Sequence, residues 1–203
     1  MPHPPTSAEI SHRIPDEALT GPLDPARLFP SPGPLEVDIG CGKGRFLIAR
    51  AAAHPESNFL GIDRLPHRVD KVGRKAGRSG LANVRVACLD GAHAVEHFLL
   101  PSSVHAFYSF FSDPWPKRRH HVRRLWSTLF VAVLHRALAP GGCIHAATDH
   151  GGYLADIREL LDVDGRFEEI AAFVPPPEQQ TDFERLFLGQ GARIHRGSFR
   201  KVR

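Results

Sequence analysis

Residues 35–54 read LEVDIGCGKGRFLIARAAAH, and this stretch decides the fold. "LEVDI" (35–39) is a short apolar strand, and Gly40-Cys41-Gly42-Lys43-Gly44 is a glycine turn. "RFLIARAAAH" (45–54) has helical spacing and stops before Pro55. A strand, a tight glycine turn and a helix make the opening unit of an α/β domain, and the pattern repeats downstream. "NFLGID" (58–63) is a second strand and 65–79 a basic helix; "NVRVACLD" (83–90) is a third strand, followed by a short helix over 92–99. "VHAFYSFF" (104–111) is a fourth strand, and a helix over 122–138 ends at Ala139-Pro140-Gly141-Gly142. "CIHAATD" (143–149) is a fifth strand and Gly151 to Leu161 a helix. "FEEIAAFV" (167–174) reads as a strand, a Pro-Gln loop follows, and a last strand is expected near 193–199. Such alternation predicts a mostly parallel seven-stranded sheet with helices on both faces. Residues 1–34, rich in Pro and without a sustained period, are expected to be a loose N-terminal arm ahead of a domain over 35–203.

Acids close four of the strands: Asp63, Asp90, Asp113 and Asp149. In open α/β sheets the ligand crevice lies at those carboxyl ends. The glycine turn narrows the ligand. A P-loop needs G-x-x-x-x-G-K-[ST], which is absent, and a dinucleotide fingerprint needs a glycine where Arg45 stands. What remains is D-x-G-x-G-x-G, with Asp38 two residues before Gly40 and Gly42 beyond it. A carboxylate there repels a pyrophosphate but suits the ammonium of S-adenosylmethionine, a cofactor with no phosphates. Asp63 is placed for ribose hydroxyls. Asp90 suits the adenine amino group, or caps the helix that follows it.

The 203 residues are 42% hydrophobic and 24% charged, with a formal net charge of +4. No run of about 18 apolar residues is long enough to span a membrane. The first residues lack a secretory pattern. Three cysteines, far apart, argue against a disulfide framework and suit a reducing cytoplasm. The charge is concentrated: Lys117 to Arg124 carries five Lys or Arg and no acid, and Gly191 to Arg203 carries five more and no acid. Two acid-free clusters tilt the reading towards a polyanion such as RNA. His93-Ala-Val-Glu96-His97 spells an inverted zinc-protease pattern, but no further ligand with supporting context accompanies it, and no metal is expected.

The stretch 108–124, YSFFSDPWPKRRHHVRR, joins the crevice to the first basic cluster. A proline on each side of Trp115 fixes the turn, so Asp113 and Trp115 are held in place. A rigid carboxylate accepts from N–H groups, and an indole is a stacking surface for a base. Lys117, Arg118, Arg119, Arg123 and Arg124 suit the phosphates attached to that base, and His120 lies among them.

This segment resembles the F-F-P-D-P-W-x-K-x-R-H-x-x-R-R stretch of bacterial tRNA (guanine-N7)-methyltransferases. The resemblance extends over roughly residues 35–200 and includes "GLANVRVACLDG", "PGGCIHAATDHGGY" and "TDFERLFLGQGARIHR". It implies a Rossmann-like class I methyltransferase fold with an antiparallel C-terminal strand, S-adenosylmethionine as cofactor, and methyl transfer to N7 of a guanine in tRNA (guanosine 46 of the variable loop). It further implies that Asp38, Asp63, Asp90 and Asp113 bind cofactor and that Asp113 is also catalytic. Lys117, Asp149 and the segment Thr181, Asp182, Phe183, Glu184 match substrate-binding positions. Ser112 stands where the family usually has Pro, Asp38 and Asp63 where Glu is common, and Asp182 where Lys or Glu is usual. The Asp-Pro-Trp turn also resembles the D-P-P-[YFW] loop of adenine amino-methyltransferases, which lack the basic run and the T-x-F-E tail. A catalytically silent RNA-binding protein of the same fold is the third reading. The sequence leaves monomer and homodimer open.

Overall fold

The structure, a computed structural model, describes residues 12–115, 119–120 and 124–203. Its strands are β1 (Leu35–Ile39), β2 (Asn58–Asp63), β3 (Val84–Cys88), β4 (Val104–Phe110), β5 (Leu138–Thr148), β6 (Phe167–Ile170) and β7 (His195–Lys201). They form one sheet in the order β3-β2-β1-β4-β5-β7-β6. Every pairing is parallel except the two made by β7, which is antiparallel to β5 and to β6. The helices are α1 (Pro25–Leu28), α2 (Arg45–Ala53), α3 (Pro66–Arg78), α4 (Gly91–His97), α5 (Thr128–Ala137), α6 (Gly151–Asp164) and α7 (Asp182–Gly189).

The central strands are buried on both faces, so they read as apolar runs rather than as alternation. Val37, Ile39, Leu60, Ile62 and Phe107 face α4, α5 and α6, packing with Val95, Phe130, Leu134, Leu154 and Ile157. Phe59, Val84 and Val86 face the other way, against Leu47 and Ala51 of α2 and Val69, Val72 and Ala76 of α3. Burying each large apolar side chain contributes about 1.5–3 kcal/mol, which is what fixes the helices onto the sheet. Strand order reverses beside β1, whose neighbours are β2 and β4. That switch point is where a ligand crevice opens.

Several boundaries differ from expectation: β6 stops at Ile170 rather than at 174, α6 runs on to Asp164, and four further differences have a physical reason. Residues 12–34 are not loose. Backbone bonds between Val86 and its neighbours His12 and Ile14, both 2.8 Å, lay the segment along the edge strand β3, and Ile14, Leu23 and Phe29 are buried. An uncovered sheet edge is an aggregation hazard, and this segment covers it. The helix expected over 122–138 begins only at Thr128, because Ser127 caps it: its Oγ accepts from the Phe130 N–H at 3.2 Å. The part of that stretch at 121–123 lies outside the described residues. Pro140-Gly141-Gly142, expected to end a helix, lies inside β5. Its register with β4 shifts between Val104 and Ala106, so the glycines make a bulge. Finally, α7 occupies a stretch left as tail, although Thr181-x-x-Glu184 is a capping-box spacing that marks a helix start.

Candidate active site

Five parallel strands deliver their carboxyl ends to one edge of the sheet. Along that edge, in spatial order, stand Asp90 after β3, Asp63 at the end of β2, the glycine turn after β1, Asp113 after β4 and Asp149 after β5. From β3 to β4 is three strand spacings, roughly 14 Å, room for a nucleoside carrying an amino-acid arm. The fold therefore brings together acids that lie far apart in the sequence, from Asp63 to Asp149.

The turn is shaped by backbone need. Gly40, Gly42 and Gly44 have φ of 79°, 55° and 69°, the left-handed region that a side chain disfavours. A Cβ on Gly44 would also stand 2.7 Å from Val72, whereas one on Gly40 meets no heavy atom within 4 Å, so the turn opens upward into the crevice. Asp63 holds it from below: Oδ2 accepts from the Gly42 N–H at 3.0 Å and Oδ1 from the Leu65 N–H at 2.9 Å, with Arg68 at 3.6 Å. Each oxygen retains a lone pair for a further donor.

Asp38 is the unusual member. It is 4% exposed, and among the described residues no hydrogen-bond donor is placed on its carboxylate. Burial, reinforced by the charge of Asp63, pushes its pKa up from 3.8 to about 7. A buried carboxylate without a partner beside an open glycine turn fits a cationic ligand group, as S-adenosylmethionine carries.

Asp90 caps α4. Its Oδ1 accepts from the Ala92 N–H at 3.0 Å and the His93 N–H at 3.2 Å. Of the two sequence readings the capping one is realised in the structure, and Oδ2 is left for a ligand. Asp113 and Asp149 are both exposed at the rim. The Asp113 turn is strained: Phe111 and Trp115 have φ of 57° and 40°. Such a conformation costs about 1–3 kcal/mol in a non-glycine residue and persists only where its surroundings enforce it.

The Thr181–Glu184 segment divides. The Thr181 Oγ1 accepts from the Glu184 N–H at 3.0 Å and caps α7. Glu184 is fully buried and ion-paired with Arg196 of β7. These two side chains are engaged by partners within the protein. Asp182 is exposed and Phe183 is 50% exposed. Phe183 lies 6.4 Å from the ring of Phe111, which brings α7 beside the Asp113 turn. Trp115 meets His120 edge to face at 5.7 Å, and Arg119 is exposed. Lys117 and Arg118 lie outside the described residues, as does Arg123. Arg124 is not a free phosphate ligand: its Nη1 donates to Asp156 of α6 at 2.6 Å, and its side chain is only 10% exposed. The His93 and His97 rings do lie close, 4.6 Å apart and tilted at 54°. Among the described residues, however, no group of three His, Cys, Asp or Glu is arranged to hold a metal ion.

Sequence reasoning missed a polar network that links β1, α2, β4, β5 and β7. Glu36, two residues before Asp38 on β1, accepts from Arg50 Nε of α2 at 2.9 Å and from the Tyr108 hydroxyl at 2.7 Å. Tyr108 stacks on His145 at 5.1 Å, and His145 Nδ1 meets Ser198 Oγ at 2.8 Å. Burial and the Arg50 charge lower the His145 pKa to about 4, so it stays neutral there. The signal was present: a glutamate inside a strand buried on both faces needs a cationic partner.

The sheet order, the lone antiparallel strand and the row of acids at the switch point define a Rossmann-like methyltransferase domain. Solved structures share that fold. The 16S rRNA methyltransferase KamB superposes with a TM-score of 0.64 at 15% identity, covering 92% of this chain and 93% of that one. The antibiotic-resistance methyltransferase Kmr does so with a TM-score of 0.59 at 21% identity, covering 84% and 87%. A family model described as a putative methyltransferase matches residues 32–196. The chain is 41% identical over 180 residues to the tRNA (guanine-N(7)-)-methyltransferase of Halorhodospira halophila, covering 86% of this chain and 78% of that one. It is 34% identical over 197 residues to that of Rubrobacter xylanophilus, covering 94% and 86%. The chain belongs to the tRNA (guanine-N7)-methyltransferase family.

Proposed function

We propose that this protein transfers the methyl group of S-adenosylmethionine to N7 of a guanine in tRNA, guanosine 46 of the variable loop, and that it does so in the cytoplasm. The observation that carries the reading is the placement of Asp113. A rigid, exposed carboxylate stands one strand from the glycine turn and is followed in sequence by the basic run. When bound, the cofactor supplies an electrophilic methyl on a sulfonium. Asp38 holds the ammonium, the spare lone pairs of Asp63 take the ribose hydroxyls, and Asp90 Oδ2 takes the adenine amino group.

N7 of neutral guanine carries a free lone pair, so no proton need be removed beforehand. Asp113 accepts from the guanine N1–H and N2–H, orients the base in line, and offsets the positive charge growing on the purine. It is an electrostatic and positioning group rather than a base. Trp115 and Phe183 give the base aromatic surface, while Lys117, Arg118, Arg119 and His120 meet phosphates, and Asp149 and Asp182 meet the substrate at the rim.

The test is incubation with S-adenosylmethionine and unmodified tRNA, followed by nucleoside analysis. Appearance of 7-methylguanosine is expected. Methylation of an exocyclic amino group would turn the assignment to an amino-methyltransferase, and cofactor binding without any product would leave a silent RNA-binding protein.

A further inference from the structure

Arg124 closes the basic run, where a phosphate contact is expected, yet its guanidinium is committed in three directions within the protein. Nε donates to the Pro114 carbonyl at 2.7 Å, and Nη1 donates to Asp156 Oδ2 of α6 at 2.6 Å. The Cζ lies 4.9 Å from the centre of the Tyr153 ring, also on α6. Tyr153 is 1% exposed, so the plane against which the guanidinium lies is part of the core. Pro114 is the middle residue of Asp113-Pro114-Trp115, the turn flanked by the left-handed Phe111 and containing the left-handed Trp115.

We propose that Arg124 is a positioning residue for the methyl transfer: it clamps the Asp113 turn to α6. The proposal rests on the guanine-N7 reading above. A guanidinium presents its donors in a rigid planar fork, so one group ties a loop carbonyl and a helix carboxylate at a fixed separation and stacks on an aromatic face at once. With Asp156 neutralising it and one-tenth of its side chain exposed, Arg124 has little to offer a phosphate. What it offers instead is order. The carbonyl it holds belongs to the residue next to Asp113, and a small displacement of a positioned group costs turnover steeply.

Arg124→Lys separates the two roles, because it keeps the charge and loses the fork. The clamp predicts kcat on tRNA lower by roughly ten- to hundredfold, with KM for tRNA, the salt slope of tRNA binding and cofactor affinity unchanged. Asp156→Asn, at a half-exposed position on α6, lowers kcat in the same direction. A lysine variant with wild-type kcat overturns the proposal. So does an Arg124→Ala variant that loses about one unit of salt slope while keeping kcat, since that marks a phosphate contact.

A readout independent of activity uses the fact that the chain has two tryptophans, Trp115 and Trp126. In a Trp126→Phe background the fluorescence anisotropy of Trp115 should fall on Arg124→Lys, and unchanged anisotropy contradicts the clamp. If the wild-type protein forms no 7-methylguanosine, the functional reading fails, while the anisotropy still decides whether Arg124 holds the turn.

Discussion

Asp38→Asn tests the cofactor site through its energetics. The folded protein keeps this carboxyl 4% exposed, with its pKa raised from 3.8 to about 7 by burial and by the charge of Asp63. Between those two values the folded chain holds a proton that the unfolded chain has released. Stability of the ligand-free protein therefore falls as pH rises through this window, and the full cost is present above pH 7. At about 1.4 kcal/mol for each tenfold, the difference is about 4 kcal/mol. Asparagine has the same size and no charge, so at pH 8 the ligand-free variant should be more stable than wild type by up to about 4 kcal/mol. That advantage should vanish near pH 4. Cofactor binding should run the other way. The ammonium favours the ionised carboxylate, so wild-type affinity should weaken by close to tenfold per pH unit below 7, a slope that the variant lacks. At pH 8 the variant should bind about 1.5–3 kcal/mol more weakly, the range for a lost charged partner. The assays are denaturant unfolding of both proteins from pH 5 to 8.5 and calorimetric titration with S-adenosylmethionine over the same range. Comparing the variant with wild type cancels the titrating groups that do not feel the Asp38 charge. If the stability difference is the same at pH 5 and pH 8, or both proteins show the same pH slope of affinity, Asp38 is not the buried charge that receives the cofactor.

Three further outcomes are expected. Asp113→Asn should lower turnover on tRNA by roughly 10²–10³, and raising the pH should not restore it; recovery at high pH in nucleoside assays would make Asp113 a base instead. Replacing Arg118, Arg119 and Arg123 together should weaken tRNA binding and flatten its salt dependence by up to about three units, read by titration at several salt concentrations. Glu36→Ala strands Arg50, whose side chain is 15% exposed, and should cost about 3–5 kcal/mol in urea unfolding. The paired replacement Glu36→Leu with Arg50→Met should cost less, and equal costs would show that the pair is not coupled.

The strands and their order of appearance were legible because a doubly buried strand must be an apolar run. Asp63, Asp90, Asp113 and Asp149 were legible because each closes such a run, and Asp38 because it precedes the glycine turn. Helix ends were less so. Ser127 and Thr181 act as caps only when the chain turns at that point, and Pro140-Gly141-Gly142, a stop signal on paper, is absorbed as a bulge once β5 pairs with β4. The 12–34 segment has too few apolar residues to signal packing by local period. Its burial depends on the unpaired edge of β3, which exists only in the folded sheet.

By itself the sequence determined the α/β class, the glycine turn with its preceding acid, and the carboxylate-aromatic-basic succession at 113–124, because each is a local pattern with a local physical meaning. Only the tertiary structure decided how those pieces are used. It placed Asp63 under the glycine turn, withdrew Asp38 from water, and sealed Glu184 against Arg196. It also turned Arg124 from a candidate phosphate ligand into a partner of Pro114 and Asp156. The reason is common to all four. A charged side chain announces its charge in the sequence, but whether it meets solvent, a ligand or an internal partner depends on desolvation and on neighbours from distant strands and helices, which no local pattern contains.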